Sequence, residues 1–146
     1  MKILVISNSS SGLYDFRKEL LQELSANNEL LLAVPEDGRA AQLGELLQCG
    51  IRITDIDRRG INPIRDLMLL RHYVHMLRDF KPDVVLTYTI KPNIYGGCAC
   101  RLCKTPYIAN ITGLGTVFEK KGFLQSIIVM LYRMGLKRAS CVFFSE

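Results

Sequence analysis

Short apolar runs rich in β-branched residues alternate along the chain with longer stretches of helical periodicity, and Gly, Pro, Ser and Asn collect between them. The runs predict strands at Lys2 to Ser7, Glu29 to Val34, Ile51 to Ile56, Asp83 to Thr87, Tyr107 to Ile111 and Cys141 to Phe144. Several are apolar at consecutive positions, as strands are when helices cover both faces of a sheet. Between them, Leu13 to Asn27 repeats apolar residues at Phe16, Leu20, Leu21 and Leu24, which predicts a helix with that stripe on the sheet. Arg39 to Cys49 predicts a second helix, stopped by Gly50. Pro63 opens a third that runs to Phe80, where Lys81-Pro82 ends it. A fourth is expected from Pro92 to Cys103 and a fifth from Phe123 to Arg138.

Strand and helix in strict alternation predict an α/β fold with a doubly wound, mainly parallel, six-stranded Rossmann-like sheet and helices on both faces. The expected strand order is 3-2-1-4-5-6, which puts a ligand site beyond the carboxyl ends of strands 1 and 4. A length of 146 residues accommodates one such domain. Because the chain stops at Ser145-Glu146, directly after the sixth strand, it reads as cut at a domain boundary.

Three loops then matter. Ser7-Asn8-Ser9-Ser10-Ser11-Gly12 precedes a helix whose amino-terminal amides attract anions, so it reads either as a phosphate-binding turn or as a plain strand-to-helix turn with a serine N-cap. It lacks GxGxxG and GK[ST], and Glu36 alone does not make a dinucleotide site. Thr87 to Gly96 (TYTIKPNIYG) carries Lys91 at the start of a helix, where a cation opposes the helix dipole; that misfit favours a role in neutralising a phosphate. Asn110 to Phe118 (NITGLGTVF) holds two glycines that permit close backbone approach to a ligand. Cys98, Cys100 and Cys103 share one predicted helix, but 98 and 100 point to different sides, and His72 and His75 have no matching third ligand. No metal site is expected.

Charge sharpens the picture. Met1 to Asp57 carries 5 basic and 9 acidic residues, net −4, whereas Arg58 to Glu146 carries 14 and 5, net +9. The second part suits an anionic partner. Aromatic residues are not interleaved with the basic ones, which argues against nucleic acid. Phe123 to Arg138, flanked by Lys120-Lys121 and ending in Lys137-Arg138, suits either a buried crossover helix or a helix lying on an anionic bilayer. Five cysteines and the lack of a signal-peptide pattern predict reduced thiols and a cytoplasmic setting; the bilayer reading of Phe123 to Arg138 would add peripheral contact at the inner face of the cell membrane.

TYTIKPNIYGG (Thr87 to Gly97) followed by PYIANITGLGTVF (Pro106 to Phe118) resembles bacterial GT-B-fold glycosyltransferases, family 4-like, that build capsular and surface polysaccharides. DFRKELLQEL (Asp15 to Leu24), AVPED (Ala33 to Asp37) and RRGINPIRDL (Arg58 to Leu67) are similar to the same pattern, so the resemblance covers nearly the whole chain. It implies an amino-terminal, acceptor-side domain, residues 1–146, with the nucleotide-sugar-binding carboxyl-terminal domain absent. It further implies transfer of a sugar from a nucleotide-sugar donor to a saccharide acceptor carried on a polyprenyl pyrophosphate, usually with retention, and no cofactor or metal.

Thr112 stands where many relatives of that kind carry a histidine near the reacting sugar, and threonine is a poor general base, so no catalytic base is assigned. The candidate substrate-binding residues are Ser10, Ser11 and Gly12; Tyr88, Lys91 and Asn93; and Thr112, Gly113 and Gly115. Two other functions remain open at this level. One is a non-catalytic, membrane-associated subunit that pairs with a separate nucleotide-sugar-binding chain; the other is a stand-alone oxidoreductase, which requires tight nicotinamide binding.

Overall fold

The strands predicted from the apolar runs all form. In a computed structural model that describes residues 1–56, 62–112, 133 and 139–145, they are β1 (Lys2–Ile6), β2 (Glu29–Val34), β3 (Gly50–Ile53), β4 (Val84–Tyr88), β5 (Tyr107–Thr112) and β6 (Cys141–Ser145). All five pairings are parallel, and the order is β3-β2-β1-β4-β5-β6, as the alternation of elements predicts. β1 lies at the centre, with Leu4 opposite Leu31 on one side and Val85 on the other. A strand so placed exposes neither face, which is why Ile3 to Ile6 are all buried.

The crossovers are α1 (Ser10–Asn27), α2 (Ala40–Leu47), α3 (Pro63–Phe80) and α4 (Gly97–Leu102), the last preceded by a π-helical turn at Pro92–Gly96. Successive side chains of β1 go to opposite layers. Leu4 and Ile6 pack with Leu69, Tyr73, Met76 and Ala99 under α3 and α4, whereas Ile3 and Val5 pack with Leu13, Leu21 and Leu43 under α1 and α2. Each fully buried aliphatic residue contributes roughly 1.5–3 kcal/mol, so the two layers hold the sheet from both sides.

Two sequence expectations change. Phe16 and Leu20 do not face the sheet; they are exposed on α1, where Leu13 and Leu21 are buried. The buried stripe runs through Ser10, Leu13 and Leu21, and a helix turns about 100° per residue, so Leu20 falls on the neighbouring face. α2 does not run to Cys49, nor does Gly50 stop it. It ends at Leu47 because Gln48 adopts a left-handed conformation (φ 49°), and Gly50 is the first residue of β3. α3 ends as expected at Phe80, with Lys81 left-handed (φ 52°) before Pro82 and its amide bonded to the Leu77 carbonyl. The helix predicted at Phe123 to Arg138 lies outside the described residues, Arg133 alone excepted.

Candidate functional site

The carboxyl ends of β1 and β4 adjoin, so the loops that follow them meet. The Asn8 amide donates to Thr89 Oγ1 at 3.4 Å, and the Thr89 hydroxyl in turn donates to the Tyr88 carbonyl. Thr89 has φ 74°. A β-branched residue in that region is strained by about 1–3 kcal/mol, and such strain collects where a fold shapes a ligand site. The turn lets a helix begin at once: Asn93 N donates to Thr89 O at 3.0 Å.

The serine loop is stitched to the loop after β2. Ser9 caps α1, its hydroxyl accepting from Gly12 N at 3.0 Å. Asp37 accepts from the Ser9 hydroxyl at 3.1 Å, from the Ser10 amide at 3.0 Å and from the Ser10 hydroxyl. Ser10 Oγ also accepts from Arg39 N at 3.1 Å, and Ser10 is completely buried. Ser11 Oγ reaches the Asp37 carbonyl at 3.5 Å. The chain's own carboxylate therefore sits where the helix dipole favours an anion. Of the three predicted residues here, Ser11 and Gly12 remain partly accessible and Ser10 does not.

After β4, the structure separates the predicted residues. Asn93 is fully buried and ties two strands to the π turn: its Oδ1 accepts from Thr87 Oγ1 at 2.7 Å, and its Nδ2 donates to Asn110 O at 2.9 Å. Tyr88 is buried, with the Arg17 guanidinium 5.6 Å from its ring centre; burial raises its phenol pKa and Arg17 opposes the rise. Lys91 Nζ lies 2.8 Å from Asp66 Oδ1, on the first turn of α3, and Tyr95 donates to Asp66 Oδ2 at 3.0 Å. Asp66 answers the misfit of a lysine against the helix dipole. Burial first, and then the Asp66 carboxylate, holds the Tyr95 phenol protonated well above its usual range.

Asp66 also borders a cleft of about 400 Å³ between the end of β3 and the start of α3. Thr54, Ile56, Leu69 and His72 line it, and His72 Nε2 stands 3.3 Å from Thr54 Oγ1. Burial lowers the His72 pKa, helped by Arg52 and His75. Sequence reading missed both Asp37 and Asp66. The signals were an acid just past β2, beside the β1 loop in the strand order, and an acid one turn into α3. Thr112 closes β5 opposite Ser145, while Gly113 and Gly115 lie outside the described residues. Cys100 is buried and Cys98 and Cys103 are half-buried, as packed thiols. Among the described residues no three His, Cys, Asp or Glu side chains gather as a metal set.

A six-stranded parallel sheet with helices on both faces, and polar loops gathered at the carboxyl edge of its two central strands, defines a Rossmann-like α/β domain. More specifically, the chain belongs to the glycosyl transferase 4-like family, whose model matches residues 2–146. It is 26% identical over 147 residues to the N,N'-diacetylbacillosaminyl-diphospho-undecaprenol alpha-1,3-N-acetylgalactosaminyltransferase of Campylobacter jejuni, covering 95% of this chain and 38% of that protein. Its fold is similar to MurG of Acinetobacter baumannii (TM-score 0.65, 15% identity, 99% of this chain and 41% of that one). It is similar also to Anabaena Alr3699/HepE in complex with UDP and glucose (TM-score 0.67, 17% identity, 97% and 37%). The chain thus spans about two fifths of the length of these proteins.

Proposed function

We propose that this chain is the acceptor-side domain of a glycosyltransferase that moves a sugar from a nucleotide-sugar donor to a saccharide carried on a polyprenyl diphosphate, in the assembly of a capsular or other surface polysaccharide. What carries the reading is the family match over residues 2–146. The curated relative, whose name specifies a diphospho-undecaprenol acceptor, supports the acceptor class. The loops after β1 and β4 and the cleft beside Asp66 supply hydroxyls, amides and carboxylates, the groups that hold a sugar by its hydroxyls.

Peripheral contact with an anionic membrane belongs to the same proposal, supported by the net +9 of residues 58–146. Among the described residues no helix is long and apolar enough to cross a membrane. Ser11 and Gly12, which stay partly accessible, and Thr112, at the end of β5, are assigned to acceptor contact in this reading. Ser10, Tyr88 and Asn93 act by holding the loops in place.

The test is transfer from a panel of radiolabelled nucleotide sugars to a short-chain prenyl-diphosphate-linked N-acetylhexosamine, with the full-length gene product and with residues 1–146 run in parallel. Transfer by the full-length protein alone is expected. Transfer by the 146-residue chain overturns its assignment as half of a site, and transfer by neither overturns the transferase reading.

A further inference from the structure

Asp66 is buried, yet it is one of the residues that line the β3–α3 cleft. Each carboxylate oxygen has about two acceptor positions. Lys91 takes one on Oδ1 and Tyr95 one on Oδ2, from the start of the π turn and from within it. The two donors hold the carboxylate plane, and among the described residues no other side chain bonds to it. A carboxylate with acceptor capacity left on both oxygens matches two neighbouring hydroxyl groups, as it matches an Arg fork.

The rest of the cleft is chemically mixed. Ile56 and Leu69 are buried apolar floor, and Met68 is 65% exposed at the rim. His72 and Thr54 form a polar edge, 3.3 Å apart. One apolar face and one hydroxyl-seeking edge fit a pyranose ring, which has C–H faces and a hydroxyl rim. The volume of about 400 Å³ lies within the range of small-ligand clefts. Asp55 and Asp66 in the same lining disfavour a phosphate, with Arg65 the cation among them.

We infer that the β3–α3 cleft is the seat of the acceptor's sugar ring, with Asp66 accepting from two ring hydroxyls and Lys91 and Tyr95 acting as positioning residues. The inference rests on the reading of this chain as the acceptor side, and it names the subsite. It also gives the buried ion pair a purpose: Lys91 aims Asp66.

The experiment has one arm that needs no turnover. Full-length protein labelled at methionine methyls and histidine rings is titrated with a short-chain prenyl-diphosphate-linked N-acetylhexosamine, and separately with the same prenyl diphosphate lacking the sugar. Met68 and His72 signals are expected to move with the sugar-bearing probe only, while buried Met76 stays still. Equal movement with both probes assigns the cleft to phosphate or lipid and overturns the inference, as does no movement with either.

In the kinetic arm, Asp66→Asn is expected to raise the acceptor KM tenfold or more with the donor KM within twofold. Since loss of the carboxylate leaves Lys91 without its partner, Met68→Trp, which narrows the cleft from an exposed position, is measured beside it with the same expectation. An unchanged acceptor KM in Met68→Trp, with Asp66→Asn either unchanged or unfolded, overturns the site. If the unsubstituted protein transfers nothing, the transferase reading fails, and the methyl and ring signals still decide the cleft.

Discussion

Lys91 and Asp66 form a nearly closed ion pair: Nζ and Oδ1 are 2.8 Å apart, and the two side chains are 11% and 10% exposed. The pair joins the loop after β4 to the first turn of α3. At that exposure, water screens little of the attraction, and removal of one partner leaves the other charge without compensation.

The first expectation follows from that asymmetry. Lys91→Met is expected to destabilise the protein by about 3 kcal/mol, and Lys91→Met combined with Asp66→Leu by clearly less than the sum of the two single changes. Urea midpoints of the four proteins measure the coupling. Additive losses show that the pair contributes nothing as a pair.

Asp37 holds the serine loop in a comparable way, through Ser9, the Ser10 amide and the Ser10 hydroxyl. Asp37→Ala removes several acceptors at once and leaves the buried Ser10 hydroxyl without one of its partners, at an expected cost of about 2–3 kcal/mol. Amide hydrogen exchange localises the effect: the first turn of α1 is expected to lose protection while β1 keeps it. Uniform loss across the sheet contradicts a local role.

Two glycines in or near the site are expected to respond oppositely. A Cβ at Gly96 meets Thr87 Cγ2 at 3.1 Å and Ile6 Cδ1 at 3.4 Å, in the buried π turn, so Gly96→Ala is expected to cost about 1–3 kcal/mol. At Gly12 a Cβ meets only Ser9, at 3.4 Å and beyond, inside α1. Gly12→Ala is expected to be neutral or to stabilise by up to about 1 kcal/mol. Thermal unfolding of both variants gives the comparison, and a destabilised Gly12→Ala marks a clash that the geometry lacks.

Local pattern and through-space contact differ in what they leave in a sequence. Strand order follows from short local patterns, because a right-handed crossover after each apolar run admits few sheets. The face of α1 does not: Phe16 and Leu20 are as apolar as Leu13 and Leu21, and only packing against Ile3 and Val5 decides which pair is buried. Lys91 stands out because its charge conflicts with its place on a helix, but its partner is 25 residues away in sequence. Asp37 lies 27 residues from Ser10. Partners so far apart leave no local periodicity, so the loops are legible in the sequence and the acids that fix them are not.

His72 gives the last expectation, in pH. Its ring is half-buried at the cleft, and burial, Arg52 and His75 together lower its pKa below the ordinary 6.5. Over the interval between that lowered value and 6.5, the unfolded chain binds a proton that the folded protein refuses. Stability attributable to this group is therefore complete above about 6.5, falls as the pH drops through the interval, and levels off below the folded value. Replacing His72 with Gln removes the titration while keeping a side chain that can bond Thr54, so the urea midpoint of His72→Gln is expected to fall less than that of the unsubstituted protein between pH 6.5 and the lowered value. His75→Gln serves as the comparison: it removes one of the charges that lower the His72 pKa, so the folded value rises toward 6.5 and the decline is expected to level off at slightly higher pH. Identical pH profiles for His72→Gln and the unsubstituted protein show that the ring is as solvated in the fold as in the unfolded chain, and hence that it does not line a partly dry cleft.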